Sequence, residues 1–339
     1  VLPDLSFIEA RKNKLEALIL THAHEDHFGA IPYLWERLQV PVYGTAFTLA
    51  LLRRKLSEAR IDLSIPLHEL DYNFDYQFGP FSIELVSLTH SIPDPAALVL
   101  RTDAGTILHT GDWKFDATPT LGHDTDRARL KELGEEGIMA LIGDSTNAMV
   151  EGRTPSEAVA QEELTKVIAE AKHTVAVTLF ASNVARIKSI IAAAQANGRS
   201  VCVAGRALQR TISAAKEVGY LRDIPDFVPE TEVNLIPREN LVIICTGSQG
   251  EPRAAMARIA NGTHETLSLA PGDTVIYSSR QIPGNETAIT KIQDMIVRRG
   301  IELITDDDHS VHVSGHPARD ELIEMYTLIR PKIAIPVHG

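Results

Sequence analysis

Between Thr174 and Ile304, short apolar runs alternate with helix-length segments, and this rhythm restricts the possible folds of the chain more than any other feature. Strands are expected at 174–179, 200–204, 241–245, 274–278 and 301–304, with helices at 183–197, 206–219, 252–261 and 284–299. Runs that are apolar throughout belong in strands covered on both faces. Strands joined by helices of this length pair in parallel, through right-handed crossovers. The stretch therefore reads as a doubly wound parallel α/β unit.

The flanking sequence keeps a different rhythm. Up to about 155 it suggests strands at 17–21, 82–88, 97–101, 106–110 and 139–143, with helices at 28–38 and 45–60. Asp103-Ala104-Gly105 reads as a hairpin turn, and Ser156-Glu157 as a helix start after the break at Glu151–Pro155. Beyond 306, a helix at 317–329 and a strand at 333–337 complete the pattern.

At 339 residues, with 44% hydrophobic and 23% charged residues, the chain has the composition of a soluble globular protein. No run approaches the roughly 18 apolar residues of a membrane helix. Val1-Leu2-Pro3-Asp4-Leu5 has neither the charged start nor the apolar run of a signal peptide. Cys202 and Cys245 each sit in an apolar run and read as small core residues, which suits a reducing cytoplasm. A net charge of −12 argues against a broad nucleic-acid-binding surface. It leaves room for a local cationic cleft whose charge comes from bound metal.

The chemistry concentrates in His22-Ala23-His24-Glu25-Asp26-His27, which follows the apolar run Leu15–Leu20. Imidazoles and carboxylates are the ligands that borderline cations such as zinc prefer. In an extended segment His22, His24 and Asp26 face the same way, while His27 enters from the following turn. One short loop can thus serve two adjacent metals. The plainer reading is a polar surface loop rich in His. Three later positions each follow an apolar strand: His90 after 82–88, Asp112 after 106–110, and His338 after 333–337. Singly, each reads more readily as a turn or cap residue than as a ligand. Together with the first motif they complete a two-metal set.

In this order, the residues resemble the metallo-β-lactamase fold. Asp144 in Gly143-Asp144-Ser145, His316 in Ser314-Gly315-His316-Pro317, and His338 resemble motifs A, B and C of its β-CASP nuclease branch. Phe180-Ala181-Ser182-Asn183, Cys245 to Pro252 and Ser278 to Asn285 strengthen the likeness, most of all to the bacterial ribonuclease J family. The resemblance implies a metallo-β-lactamase αββα fold in segments 1–155 and 306–339, interrupted by an inserted β-CASP domain at 156–305. Relative to the family, the opening strands and everything after motif C are missing, as in a fragment of a longer protein.

What the resemblance implies for the site is specific. His22, His24 and His90 would hold one zinc and Asp26, His27 and His338 a second, with Asp112 bridging; Mn2+ or Mg2+ are alternatives. His316 would be the general acid or a phosphate clamp, and Asp144 would orient a ligand. His312, Val313, Ser314, Gly315 and His316 would cradle a substrate phosphate, joined by Ser182 and Asn183. Arg280, Arg206 and Arg186 are candidates to line an RNA path.

The implied activity is zinc-dependent hydrolysis of single-stranded RNA in maturation and decay, including rRNA processing. It would combine 5′→3′ exonuclease action on 5′-monophosphorylated RNA with endonuclease action, in a cytoplasmic homo-oligomer. The alternative is a small-molecule ester or lactone hydrolase on the same metals. His68, His123, His173 and His264 read as surface residues, His109 as structural, and Asp306-Asp307-Asp308 as a solvated turn.

Overall fold

The computed structural model describes residues 2–59 and 64–339 and divides into two compact units. One comprises 1–154 with 315–339, the other 155–314. The Val311 carbonyl accepts hydrogen bonds from Arg186 and Ser278, which ties the stretch before Gly315 to the inserted unit.

The strands in chain order begin with β1 (Leu18–Ile19), β2 (Val42–Gly44) and β3 (Leu67–Glu69). Next come β4 (Asp75–Phe78), β5 (Phe81–Ser87), β6 (Ala96–Thr102), β7 (Gly105–His109) and β8 (Ala140–Asp144). The inserted unit holds β9 (Val175–Thr178), β10 (Ser200–Ala204), β11 (Leu241–Cys245), β12 (Thr274–Tyr277) and β13 (Glu302–Ile304). The last strand, β14 (Ile333–Val337), belongs to the first unit.

In the first unit β1, β2 and β3 form a small parallel sheet, and six strands form a mixed sheet ordered β14-β8-β7-β6-β5-β4. β14, β8 and β7 are parallel to one another, whereas β7, β6, β5 and β4 alternate in direction. β5 therefore points the same way as β7, β8 and β14, and all four end at one edge. Asp103 and Ala104 make the expected turn between β6 and β7, ending at Gly105 with φ +135°, a backbone state that favours glycine.

Trp113 and Phe115 pack with Leu108, Leu130, Met325 and Ile329 into the core beneath this sheet. Helices Arg127–Glu136 and Arg319–Ile329 line that core, so the returning segment is integral to the first unit. The two helices meet at Gly134, where a Cβ would lie 1.9 Å from the Leu328 carbonyl oxygen.

The inserted unit is the parallel sheet expected from the alternation, ordered β10-β11-β9-β12-β13. β9, β11 and β12 are buried along their whole length. The expected helix at 252–261 begins late, at Ala255. The helix expected to end at 60 runs over Ala46–Glu58, and Arg60 lies outside the described residues. β2, β3, β4 and the helix Arg127–Glu136 are additions to the elements expected above. Among the described residues, no helix is long and apolar enough to cross a membrane.

Candidate metal centre

The carboxyl edge of the six-stranded sheet carries the expected ligands. His90 follows β5 by way of Leu88-Thr89, Asp112 follows β7, Asp144 ends β8, and His338 follows β14. The His22–His27 motif comes from the small sheet, just after β1, and is tied to the start of β6 by the Ala96 N–H on the Thr21 carbonyl, 2.9 Å. Gly111 lets the Asp112 loop pass close to that motif: its φ is +59°, and a Cβ there would meet the Thr21 Cβ at 2.9 Å.

The motif is extended only as far as His24. Helix Glu25–Phe28 begins after it, with the His27 and Phe28 N–H groups on the His24 carbonyl. His22 and His24 share a site as alternation requires, but Asp26 does not join them. It sits in the helical turn, 67% exposed, with its Oδ2 3.5 Å from His27 Nε2. The expectation of one extended run through Asp26 is corrected by this early turn. Asp26 still lies with His27 and His338 in a group that could hold a metal ion.

Three imidazole nitrogens converge in the buried part of the site. His24 Nδ1 lies 3.1 Å from His22 Nε2 and 3.0 Å from His90 Nε2. Asp112 Oδ2 is 3.8 Å from His22 Nε2 and 3.9 Å from His90 Nε2. The same oxygen is 3.3 Å from His27 Nε2, while Oδ1 is 3.6 Å from His338 Nε2. One carboxylate thus stands between two groups of imidazoles. Tetrahedral bonds of about 2.0–2.1 Å place ligand atoms about 3.3 Å apart, close to these separations. His27 Nε2 is buried with no protein hydrogen-bond partner. The donor set fits divalent metal.

Electrostatics prepare the ligands. Burial pushes the His24 pKa down to about 4. Burial and the neighbouring imidazoles hold His22 and His90 well below the usual value. These rings are neutral near pH 7, with lone pairs available to a cation. Burial alone would raise the Asp112 pKa, but His27 and the imidazoles around it outweigh that and hold the carboxyl far into its ionised range.

Orientation comes from a further layer of contacts, which the sequence did not disclose. Thr21 Oγ1 lies 3.1 Å from His22 Nδ1. His90 Nδ1 is 2.7 Å from the Gly315 carbonyl, which accepts its proton and leaves Nε2 for metal. Asp144 Oδ1 accepts from the Thr146 N–H and hydroxyl, at 2.9 and 2.7 Å, and so does cap its turn. Its Oδ2 lies 2.8 Å from His316 Nδ1. Burial opposes protonation of His316, yet this fully buried carboxylate prevails and the ring's pKa is raised.

The expected phosphate-binding residues fall into different environments. Val313 is buried, so its side chain is a packing element. Gly315 is engaged with His90. Asn183 is 3% exposed and its Oδ1 caps helix Val184–Ala196 through the Arg186 N–H. His312, Ser314 and Ser182 are partly exposed. Arg206 and Arg280 are exposed, but Arg186 is fully buried and cannot line an RNA path. His109 accepts the Gly111 N–H and is structural. The His264 ring, expected at the surface, is covered and accepts the Thr266 and Leu267 N–H groups. Cys202 and Cys245 are free and buried.

Three family models match consecutive parts of the chain. The Metallo-beta-lactamase superfamily model matches residues 2–150, and the Ribonuclease J, beta-CASP domain model residues 172–296. The Zn-dependent metallo-hydrolase RNA specificity domain model matches 308–339. The chain is 48% identical over its whole length to a protein named Ribonuclease J from Sinorhizobium meliloti, covering 60% of that protein. It is 42% identical, again over its whole length, to Ribonuclease J of Mycolicibacterium smegmatis, covering 61%. The chain thus spans about three fifths of the length of these relatives. A crystal structure of a protein of unknown function from Enterococcus faecalis V583 has a similar fold, with TM-score 0.67 and 18% identity. That match covers 95% of this chain and 75% of the other.

Proposed function

Because the chain belongs to the ribonuclease J family of β-CASP metallo-β-lactamases, we propose that it is a two-metal ribonuclease acting on single-stranded RNA. The observation that carries the reading is the convergence of His22 Nε2, His24 Nδ1 and His90 Nε2 beside Asp112. A small ester or lactone would need neither an inserted α/β unit nor the His312–His316 stretch.

His22, His24 and His90 would hold one ion and Asp26, His27 and His338 the other, with Asp112 near enough to both groups to serve either; zinc is the metal we favour. Bound there, divalent metal would supply Lewis acidity and acidify water at neutral pH. The chain's own residues do the rest. Asp144 holds His316 by its Nδ1 and favours the protonated ring, which hands a proton to the departing 3′-oxygen. His312 and Ser314, with Ser182, donate hydrogen bonds to a 5′-phosphate. Val313, Gly315 and Asn183 shape that region through backbone and packing.

The activity that follows is 5′→3′ exonuclease action on 5′-monophosphorylated RNA, with internal cleavage as a second mode. Its setting is RNA maturation and decay, rRNA processing included, in the cytoplasm, and the full-length protein is a homo-oligomer. The test uses one short RNA carrying a 5′-monophosphate or a 5′-triphosphate, with and without chelator. Chelator-sensitive release of mononucleotides, faster from the monophosphate, supports the whole reading. Equal internal cutting of both RNAs removes the 5′-phosphate part, and cleavage by metal-free protein removes the mechanism.

A further inference from the structure

Arg186 stands on helix Val184–Ala196 with none of its surface exposed. A buried guanidinium is costly unless its donors are paired. Its Nε and Nη2 grip the two oxygens of Glu157 at 2.5 and 2.9 Å, and Glu157 is itself 6% exposed. The remaining Nη1 faces the chain just before the expected phosphate-binding stretch. It donates to Ser278 Oγ at 2.7 Å and to the Val311 carbonyl at 2.9 Å, and lies 3.4 Å from His312 Nδ1. Ser278 Oγ donates its own proton to the same Val311 carbonyl, at 2.7 Å. An otherwise irregular segment is thereby fixed at the residue where His312 begins.

We propose that Arg186, paired with Glu157 and seconded by Ser278, is a positioning residue for phosphate recognition, setting the place and the tautomer of His312. The inference rests on the 5′-phosphate reading above. The two Nη1 protons go first to Ser278 Oγ and Val311, but a guanidinium has donors only, so His312 Nδ1 faces it best with its lone pair, sharing one of those protons. The neutral ring then carries its proton on Nε2, and its other side is a donor. A donor held in place is what a phosphate oxygen requires. Arg186 itself touches no substrate.

Two variants test this. Replacing both partners, Glu157→Met with Arg186→Met, avoids stranding one buried charge, and such paired replacements commonly fold. Ser278→Ala removes one donor from Val311, leaves the ion pair in place, and keeps the test open should the double variant unfold. The probes are a 5′-monophosphorylated RNA and its 5′-hydroxyl counterpart, with kcat and KM measured separately. Nitrogen-15 imidazole spectra of His312 are recorded alongside.

In the double variant KM for the monophosphorylated RNA should rise about tenfold, as expected when charge-assisted contacts lose their preset geometry. The ratio of the two specificity constants should fall toward one, and the Nε2–H tautomer should lose its dominance. Ser278→Ala should move the ratio the same way by a smaller step. An unchanged ratio in folded variants overturns the inference, as does an equal loss on both RNAs with an unchanged tautomer. If the unmodified protein does not discriminate between the RNAs, the 5′-phosphate reading fails first and this inference with it.

Discussion

The Gly315 carbonyl accepts a hydrogen bond from His90 Nδ1 at 2.7 Å, and a Cβ on Gly315 would meet that same nitrogen at 2.7 Å. One glycine therefore both orients a candidate metal ligand and makes room for its ring. In Gly315→Ala the ring has to move, and Nε2 turns away from His22, His24 and Asp112. Loss of such an orienting contact typically weakens metal affinity about 10- to 100-fold. Metal retained after dialysis against a graded chelator series measures it; unchanged retention would contradict the role assigned to Gly315.

Asp144→Asn keeps the shape of the side chain that caps Thr146 but removes the charge beside His316. Without that charge the His316 pKa drops. If the protonated ring donates the proton, the alkaline limb of the kcat/KM profile then moves to lower pH. The rate falls about 10²-fold or more, the usual contribution of a positioned acid. An alkaline limb that stays in place would remove His316 from the proton-donor role.

Gly134→Ala places a Cβ 1.9 Å from the Leu328 carbonyl oxygen, against backbone that cannot swing aside. Helices Arg127–Glu136 and Arg319–Ile329 must separate. Overpacking of this kind costs about 1–3 kcal/mol, and more where backbone is the obstacle. Denaturant unfolding followed by circular dichroism reads the loss. An unaltered midpoint would mean that the helices part without cost.

Glu84 is held by Arg129 and Arg101, with Oε1 2.6 Å from Arg129 Nε and Oε2 2.5 Å from Arg101 Nη2. Burial alone would raise its pKa, but the two guanidinium groups prevail and lower it. The folded state thus binds the proton less tightly than the unfolded chain does. Its stabilisation is complete above the ordinary glutamate pKa of about 4.3 and is lost as pH falls through the lower folded value. Glu84→Gln should be less stable at pH 7 and show a flatter decline below pH 5. Parallel stability curves for the two proteins would refute this.

Burial pushes the thiol pKa of both Cys202 and Cys245 up to about 12. Cys202 pairs with Ile243 and Cys245 with Ala204 across β10 and β11, so the two thiols are not opposite one another. Iodoacetamide at pH 8 should label neither in the native protein and both after denaturation, because the thiolate is the reactive form. Labelling of the native protein, read by mass spectrometry, would show that β10 and β11 open.

The inserted unit was the most legible part of the sequence. Its strands are apolar on both faces and its helices long, so periodicity and length agree. The candidate ligand cluster was legible for a different reason: His22, His24, His90 and Asp112 are imidazoles and a carboxylate placed just after apolar runs, and the structure brings them together. β2, β3 and β4 escaped because they are 3 or 4 residues long and only partly buried. Helix Arg127–Glu136 escaped because its sequence is mostly charged, with only Leu130 and Leu133 buried. The hydrogen bond from His90 to the Gly315 carbonyl links residues 225 positions apart through a backbone atom, and no residue type announces that. Arg186 was misplaced because an isolated arginine after a strand looks the same in sequence whether it faces solvent or a buried Glu157.

β14 closes one edge of the six-stranded sheet and delivers His338 beside Asp112, after the whole inserted unit has intervened in the chain. A ribosome making this protein releases the His22–His27 motif early and His338 only at the end of this stretch. Until then Asp26 and His27 lack their third companion, and the neighbouring strand that would carry it has not docked on β8. For an enzyme proposed to degrade RNA, this order ties completion of the second ligand group to the return of the chain after the inserted unit.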